Sequence, residues 1–315
     1  MFSLDLYSIS RPRLPGSKAH AEVRDILLQT MQKMDLMPYE GKVFLWSYHG
    51  QRADTIANVL GVLPGRDASL PPMILGAHYD TVPGTPGADD NAAAIWVVLN
   101  AVDGIRPGTL RRSVTVALFD AEEPPYYLGP LMGSTNFYQT QLSQPVHCAF
   151  IFDLVGHDVP IPGIEDLVFI TGMESHPTFE AVINSALPDS RIRIVPALNS
   201  YVGDMSDHHV FRIHGDPYLF FSCGRWQHYH ASTDTPDRLN IKKMEALSAY
   251  VRGLLIACDK VEFPKGSAGY DTTATELKFM NANLEVVLRR MGIYPLRNRK
   301  DINKAAQALT GLFGL

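Results

Sequence analysis

Residues 73–98 read MILGAHYDTVPGTPGADDNAAAIWVV, an apolar run, a polar loop and a second apolar run. The first run, Met73–Ala77, has the length and composition of a strand buried on both faces. The second, from about Asn91, continues as a helix. Strand, loop and helix in that order form the repeating unit of an α/β fold with a largely parallel sheet. The loop between them carries one imidazole, His78, and three carboxylates, Asp80, Asp89 and Asp90. Groups of that kind are costly inside a core unless they pair with each other or bind a cation.

The same alternation extends in both directions. Strands are predicted at 43–49, 55–63, 113–120, 148–156, 166–172 and 216–222. Amphipathic helices lie between them, with apolar residues three and four apart. The clearest is the segment KKMEALSAYVRGLLIACDKVE, in which Met244, Leu247, Val251, Leu254, Leu255 and Cys258 share one face. An earlier helix opens at the cap residue Ser17 and runs through AHAEVRDILLQTMQKM as an outer-layer helix. The expected fold is α/β, with a single mixed, mostly parallel β-sheet sandwiched between helices.

The chain has 315 residues, 46% hydrophobic and 19% charged, which is ordinary for a globular protein with a large core and argues against disorder. A net charge of -5 gives no general attraction to nucleic acid or to an anionic membrane, so neither is an expected partner. No signal-like start and no run of about 18 apolar residues is present, so the expectation is a cytoplasmic protein. Cys148, Cys223 and Cys258 are widely spaced and odd in number, the pattern of buried reduced thiols.

Composition changes after Glu262, at FPKGSAGYDTT. Two domains are expected on this basis: residues 1–262 as the catalytic unit and 263–315 as a helical C-terminal extension. In the extension a capping box is predicted from Thr273 to Glu276. Leu277, Met280, Leu284, Val287, Leu288 and Met291 make a helical stripe, and a second helix is predicted from Asp301 to about Gly311. This tail packs either on its own domain or on a partner subunit in a homo-oligomer.

In parallel sheets, ligand-binding groups collect beyond the carboxyl ends of strands. His78, Asp80, Asp89, Asp90, Glu122, Glu123, Asp153 and His230 all fall at such places. Singly, each has a plain structural reading: Asp89 or Asp90 as a helix cap, Glu122 and Glu123 as a solvated turn, His78 as a core histidine. Together they would repel strongly without a cation, and mixed imidazole and carboxylate donors suit zinc or a similar divalent metal. His20, His49, His147, His157, His176 and His214 have no companion motif and are expected to be structural or on the surface. His208, His209 and His228 are candidates for supporting the site, and Trp226, Tyr201, Tyr126 and Tyr127 for lining its pocket.

The motifs GAHYD, GADDNAA, DAEEPP with a later MGS, FDLVG, SDHHVF and YHASTDTPD span residues 76–237 in order, and in these the chain resembles the aminopeptidase Y family of zinc exopeptidases. That group also includes glutaminyl cyclases and the transferrin receptor ectodomain. The resemblance implies a three-layer αβα fold, peptide substrates and a site for two Zn2+ ions. Its implied ligands are His78, Asp89, Glu123, Asp153 and His230, with Asp89 bridging. It also implies a cis peptide between Asp89 and Asp90, Asp80 orienting the His78 ring, and Glu122 as general base. Pro124 and Pro125, where many relatives have Gly, should stiffen one wall of the pocket.

Two other readings stay open at this stage. A glutaminyl cyclase-like transferase would use one zinc, and a non-catalytic binding module would be expected to have lost ligands or the base. Here all five ligand positions and Glu122 are present.

Overall fold

The computed structural model describes residues 3–49, 55–264 and 270–312. Its strands are β1 (Met37–Pro38), β2 (Leu45–His49), β3 (Thr55–Leu63), β4 (Met73–His78), β5 (Val114–Phe119), β6 (Cys148–Phe152), β7 (Leu167–Thr171), β8 (Arg193–Pro196) and β9 (Tyr218–Ser222). Its helices are α1 (Leu6–Ile9), α2 (Lys18–Lys33), α3 (Ala93–Asp103), α4 (Gly133–Asn136), α5 (Thr178–Ser185), α6 (His208–Ile213), α7 (Ile241–Cys258), α8 (Thr273–Asn283), α9 (Glu285–Arg290) and α10 (Arg299–Leu312).

Among the described residues all strands belong to one mixed sheet, ordered β1-β3-β5-β4-β6-β9-β7-β8, with β2 also paired to β3. The central run β5-β4-β6-β9 is parallel throughout. β3 pairs antiparallel with β5, and β7 antiparallel with β9. Every residue of β4, β5 and β6 is buried. Helices cover both faces there, and that is why these strands read as unbroken apolar runs. Gly76 sits at the centre of β4 because Phe119 and Ile151 close over it; a Cβ there would lie 2.6 and 2.7 Å from them.

The two helical layers are unequal. On one face α1, α2, α3, α5 and α7 pack against Met73, Leu75, Val116 and Phe150 in the main core. On the other, Val210 and Phe211 of α6 pack with Ile74, Phe119 and Phe220 in a smaller one. α3 is apolar almost all round because it lies between the sheet and α7. Arg252 of α7 donates to the carbonyls of Asn100 and Ala101, which the end of α3 would otherwise leave unpaired. Ser17 caps α2 by accepting from the His20 N–H, and all six residues expected on the buried face of α7 are buried.

The tail packs against the main core through Met280, Leu284, Val287, Leu288, Ile302 and Leu309. The helical stripe is broken at Leu284 into α8 and α9. Asn283 of α8 donates to the Ile194 carbonyl at 2.8 Å and so occupies part of the open edge of β8. The capping box expected from Thr273 to Glu276 does not form: α8 has no side-chain cap, and the Thr272 hydroxyl donates to the Glu276 carboxylate instead. Residues 265–269 of the Pro/Gly stretch lie outside the described residues. Among the described residues no helix is long and apolar enough to cross a membrane.

Candidate metal centre and active-site cleft

The chain leaves β4 for β5 on one side and places β6 on the other, so the sheet has a switch point at β4. His78 is the last residue of β4, Asp153 follows β6 directly, Glu122 and Glu123 follow β5, and His230 follows β9. Four adjacent parallel strands therefore bring these side chains to one edge.

Asp90 lies at the centre of the group. Its Oδ1 is 3.3 Å from His78 Nε2 and its Oδ2 is 3.2 Å from His230 Nε2, so each carboxylate oxygen faces a different imidazole. On the first side, Asp153 Oδ1 is 3.6 Å and Glu122 Oε2 3.9 Å from His78 Nε2. On the second, Glu123 Oε1 is 3.3 Å from His230 Nε2. Two ligand sets thus share one residue: His78, Asp90 and Asp153, and Asp90, Glu123 and His230. Glu122 forms a third group with His78 and Glu123.

Asp89, expected as the bridge, is not in this cluster. Its Oδ1 accepts from the N–H groups of Gly156 and His157 at 2.7 and 3.1 Å, and its Oδ2 is 2.7 Å from His157 Nδ1. With its oxygens occupied on the far side of the loop, it holds the loop down, and its neighbour faces the histidines instead. The cis peptide is likewise one residue later, between Asp90 and Asn91. His157, expected to be merely structural, is the partner that fixes Asp89, and it stacks on Trp226 at 4.6 Å.

Asp80 faces His78 Nδ1 at 3.4 Å, and it also accepts from the N–H groups of Glu122 and Glu123, each at 3.0 Å. One carboxylate thereby positions the loop after β4 and the loop after β5. Sequence reasoning missed two further supports. Asp234, in the STDTPD segment, accepts from the N–H groups of Asp89 and Asp90 at 2.9 and 3.1 Å. Arg13 is fully buried and donates to the carbonyls of Ile9, Tyr79, Pro86 and Gly87, at 2.5 to 2.9 Å. It ties the two ends of the polar loop to the N-terminal segment. Gly87 has φ +64, and a Cβ there would meet Thr81, the Asp90 carbonyl and the Arg13 guanidinium within 3 Å. Only glycine fits that approach without strain.

The protonation of the cluster reflects crowded buried charge. Burial pushes Glu122 well above the carboxylate range, with Glu123 and Asp153 adding to it against the pull of His78. Burial, with the charge of Asp90, brings Glu123 to about 7. Asp90 is opposed by burial too, but His230 and His78 outweigh it and hold its pKa low. Burial opposes the charged form of both imidazoles, but Asp90 and Glu123 raise His230 to about 10, and Glu122, Asp153 and Asp80 raise His78 well above an ordinary histidine. Both His78 nitrogens and Asp153 Oδ1 are buried without a hydrogen-bond partner. Protons and metals compete for such atoms. Unpaired imidazole and carboxylate donors converging from several strands fit divalent cations, zinc among them.

The other expected supports lie elsewhere. His208 stacks on Phe220 and faces the Gly203 carbonyl, His209 pairs with Asp204, and His228 with Thr233. Tyr126 packs with Tyr48 and Ile56, and Tyr201 faces the tail. Tyr127 does line the cleft, and its hydroxyl donates to the Asp204 carbonyl. The cleft has a volume of about 440 Å³. Asp90, Glu122, Glu123, Asp153 and His230 are among its lining residues. Pro124 and Tyr229 flank them, and Tyr229 stacks on His230 at 3.8 Å.

A sequence profile described as Peptidase family M28 matches residues 58–255. The uncharacterized protein YfbL of Escherichia coli (strain K12) is 27% identical over 207 residues, 56% of this chain and 64% of that protein. The chain thus spans less than two thirds of the length of the curated relatives it matches first. Among solved structures, the LapA aminopeptidase of Legionella pneumophila superposes with a TM-score of 0.64 at 18% identity, over 82% of this chain and 70% of its own. A Tannerella forsythia glutaminyl cyclase superposes with a TM-score of 0.62 at 15% identity, over 79% of this chain and 94% of its own. Likeness at that level is likeness of fold.

Proposed function

The chain belongs to peptidase family M28, and we propose that it is a zinc-dependent aminopeptidase of the aminopeptidase Y kind, acting on peptides with a free N-terminus. The observation that carries this reading is Asp90, whose two carboxylate oxygens face His78 and His230 separately. A shared carboxylate with a complete set on each side is the chemistry of a two-metal site. His78, Asp90 and Asp153 would hold one zinc, and Asp90, Glu123 and His230 the other.

When bound, zinc supplies Lewis acidity and makes water ionisable near neutral pH. With cations offsetting the neighbouring carboxylates, Glu122 would be ionised and act as the general base, its carboxylate taking a proton from the attacking water. The water oxygen joins the scissile carbonyl carbon, the C–N bond breaks, and Glu122 gives the proton to the leaving amine. Asp80 keeps Glu122 and Glu123 aimed by accepting from both their N–H groups.

Metal content by elemental analysis, paired with amino-acid release from a panel of unblocked peptides before and after chelation, tests the reading. About two zinc ions per chain and chelator-sensitive release of N-terminal residues are expected. One zinc, with ammonia lost from N-terminal Gln peptides and no amino acid released, would instead establish the cyclase. A protein that binds no divalent metal would sink both.

A further inference from the structure

The cleft lining is of two kinds. Beside the carboxylates and His230 it includes the apolar Leu154, Phe169, Val202, Met205 and Phe220, together with the polar Ser222 and Arg225. Phe220 and Phe169 belong to β9 and β7, on the side of β6 away from β4 and His78. Behind Phe169 and Val202 lies a second cavity of about 50 Å³, and the same two side chains line both. Its rear wall comes from the tail, through Met280 and Leu284 of α8 and its end, and Ala306 and Leu309 of α10. Phe169 and Val202 thus stand between the cleft and a half-open, largely apolar hollow, which gives side chains room to shift.

The tail also holds the turn that carries Val202. Tyr201 donates from its hydroxyl to Asn303 Oδ1 at 2.6 Å and accepts from Arg299 at 3.4 Å. Arg299 is anchored in turn by Glu276 at 2.5 Å and by the Thr272 hydroxyl at 2.8 Å. The matched family segment ends at residue 255, so this backing wall lies outside it.

Resting on the aminopeptidase reading, we infer that α8 and α10 set the depth of the pocket for the side chain of the substrate's first residue, and that this pocket takes large apolar side chains. With the amine and the scissile carbonyl at the carboxylates and His230, that side chain points toward β9 and β7 and presses on Phe169 and Val202. How far they yield depends on what fills the space behind them. Leu309→Ala enlarges the void and Ala306→Leu fills it, so the two variants move selectivity in opposite directions. A general loss of stability would act alike on all substrates.

The test compares kcat/KM for peptides beginning with Trp and with Ala, in the zinc-loaded protein and both variants. Calorimetric binding of the product amino acids L-tryptophan and L-alanine gives a readout independent of turnover. The Trp-to-Ala ratio is expected to rise roughly tenfold in Leu309→Ala and to fall roughly tenfold in Ala306→Leu, the scale on which hydrophobic pockets discriminate. If thermal unfolding shows one variant unfolded, the other decides. Ratios unchanged in turnover and in binding overturn the inference while leaving the peptidase intact. Shifted binding ratios with no hydrolysis of any peptide support the pocket and overturn the aminopeptidase reading instead.

Discussion

Asp89 and Asp90 are chemically identical neighbours with opposite surroundings, so the same substitution separates their roles. Asp90→Asn should abolish binding of both zinc ions, because one side chain serves both sets. Asp89→Asn should keep both and lower stability by roughly 1–3 kcal/mol, since it disturbs buried bonds to Gly156 and His157. Elemental analysis and denaturant unfolding separate the outcomes; loss of metal only in the Asp89 variant would return the bridge to Asp89. Glu122→Gln should bind zinc normally and lose turnover by roughly 10²–10⁴-fold, and a variant with near wild-type kcat would remove Glu122 as the base. Spacing alone cannot choose between adjacent Asp residues. The choice is made by the backbone, which has φ -112 and ψ 81 at Asp90 in the middle of the turn. His208 gives a prediction of another kind. Burial lowers its pKa to about 4, so between about 6.5 and 4 the unfolded chain takes up a proton that the folded chain refuses. Its contribution to stability is therefore fully present above about pH 6.5 and falls by roughly 3 kcal/mol as pH drops to 4. His208→Leu should flatten that part of the pH–stability curve relative to wild type, and parallel curves would contradict the assignment.

Between elements, the contact on which the site most depends is the one from the N-terminal segment to the polar loop. The Arg13 guanidinium grips carbonyls at residues 79, 86 and 87, either side of the turn that ends at Asp89 and Asp90. Burial lowers its pKa to about 10, against the pull of Asp90, Asp80 and Asp234, so it stays charged at neutral pH. Arg13→Lys keeps the charge but cannot span that fork of acceptors. Zinc affinity should fall by roughly 10–100-fold, the usual effect of losing a group that orients ligands. Arg112→Lys is the control, a buried arginine paired with Glu262; equal loss of zinc affinity in both variants would mean that Arg13 acts only through general stability. This clamp was invisible in the sequence, because either Arg of RPRLPGS is far more often solvated than buried. The metal-binding motifs were legible because strand ends and loop carboxylates leave a pattern that survives without coordinates. The strands from β2 to β7, and β9, were legible in the same way, from apolar runs of the right length. β8 was not, although Arg191, Ile192, Arg193 and Ile194 do alternate as an edge strand should. The strand expected to reach Gly156 stops at Phe152, where the chain turns away to present Asp153 and then takes φ 54 at Leu154.

For the whole molecule, the α/β architecture followed from the alternation of runs, whereas the convergence of the site did not follow from any single run. It arises from the order β5-β4-β6-β9, which places the ends of distant segments side by side. That convergence gathers Asp90, Glu122, Glu123 and Asp153 in a buried space, where burial raises three of the four carboxyls. The fold therefore bears an electrostatic cost at its centre that bound cations would offset, and metal binding should be coupled to global stability. At a free zinc concentration of about 100 times Kd, each site adds roughly 2.7 kcal/mol. Two sites correspond to a rise in Tm of roughly 10 °C in a chain of this size. Differential scanning calorimetry with buffered zinc, and again after chelation, measures the difference. The increment should grow with zinc concentration in the wild type and be absent in Asp90→Asn, whose shared ligand is gone. If Tm is the same with and without zinc while elemental analysis finds two ions bound, then the cluster is not the place where those ions bind the native state.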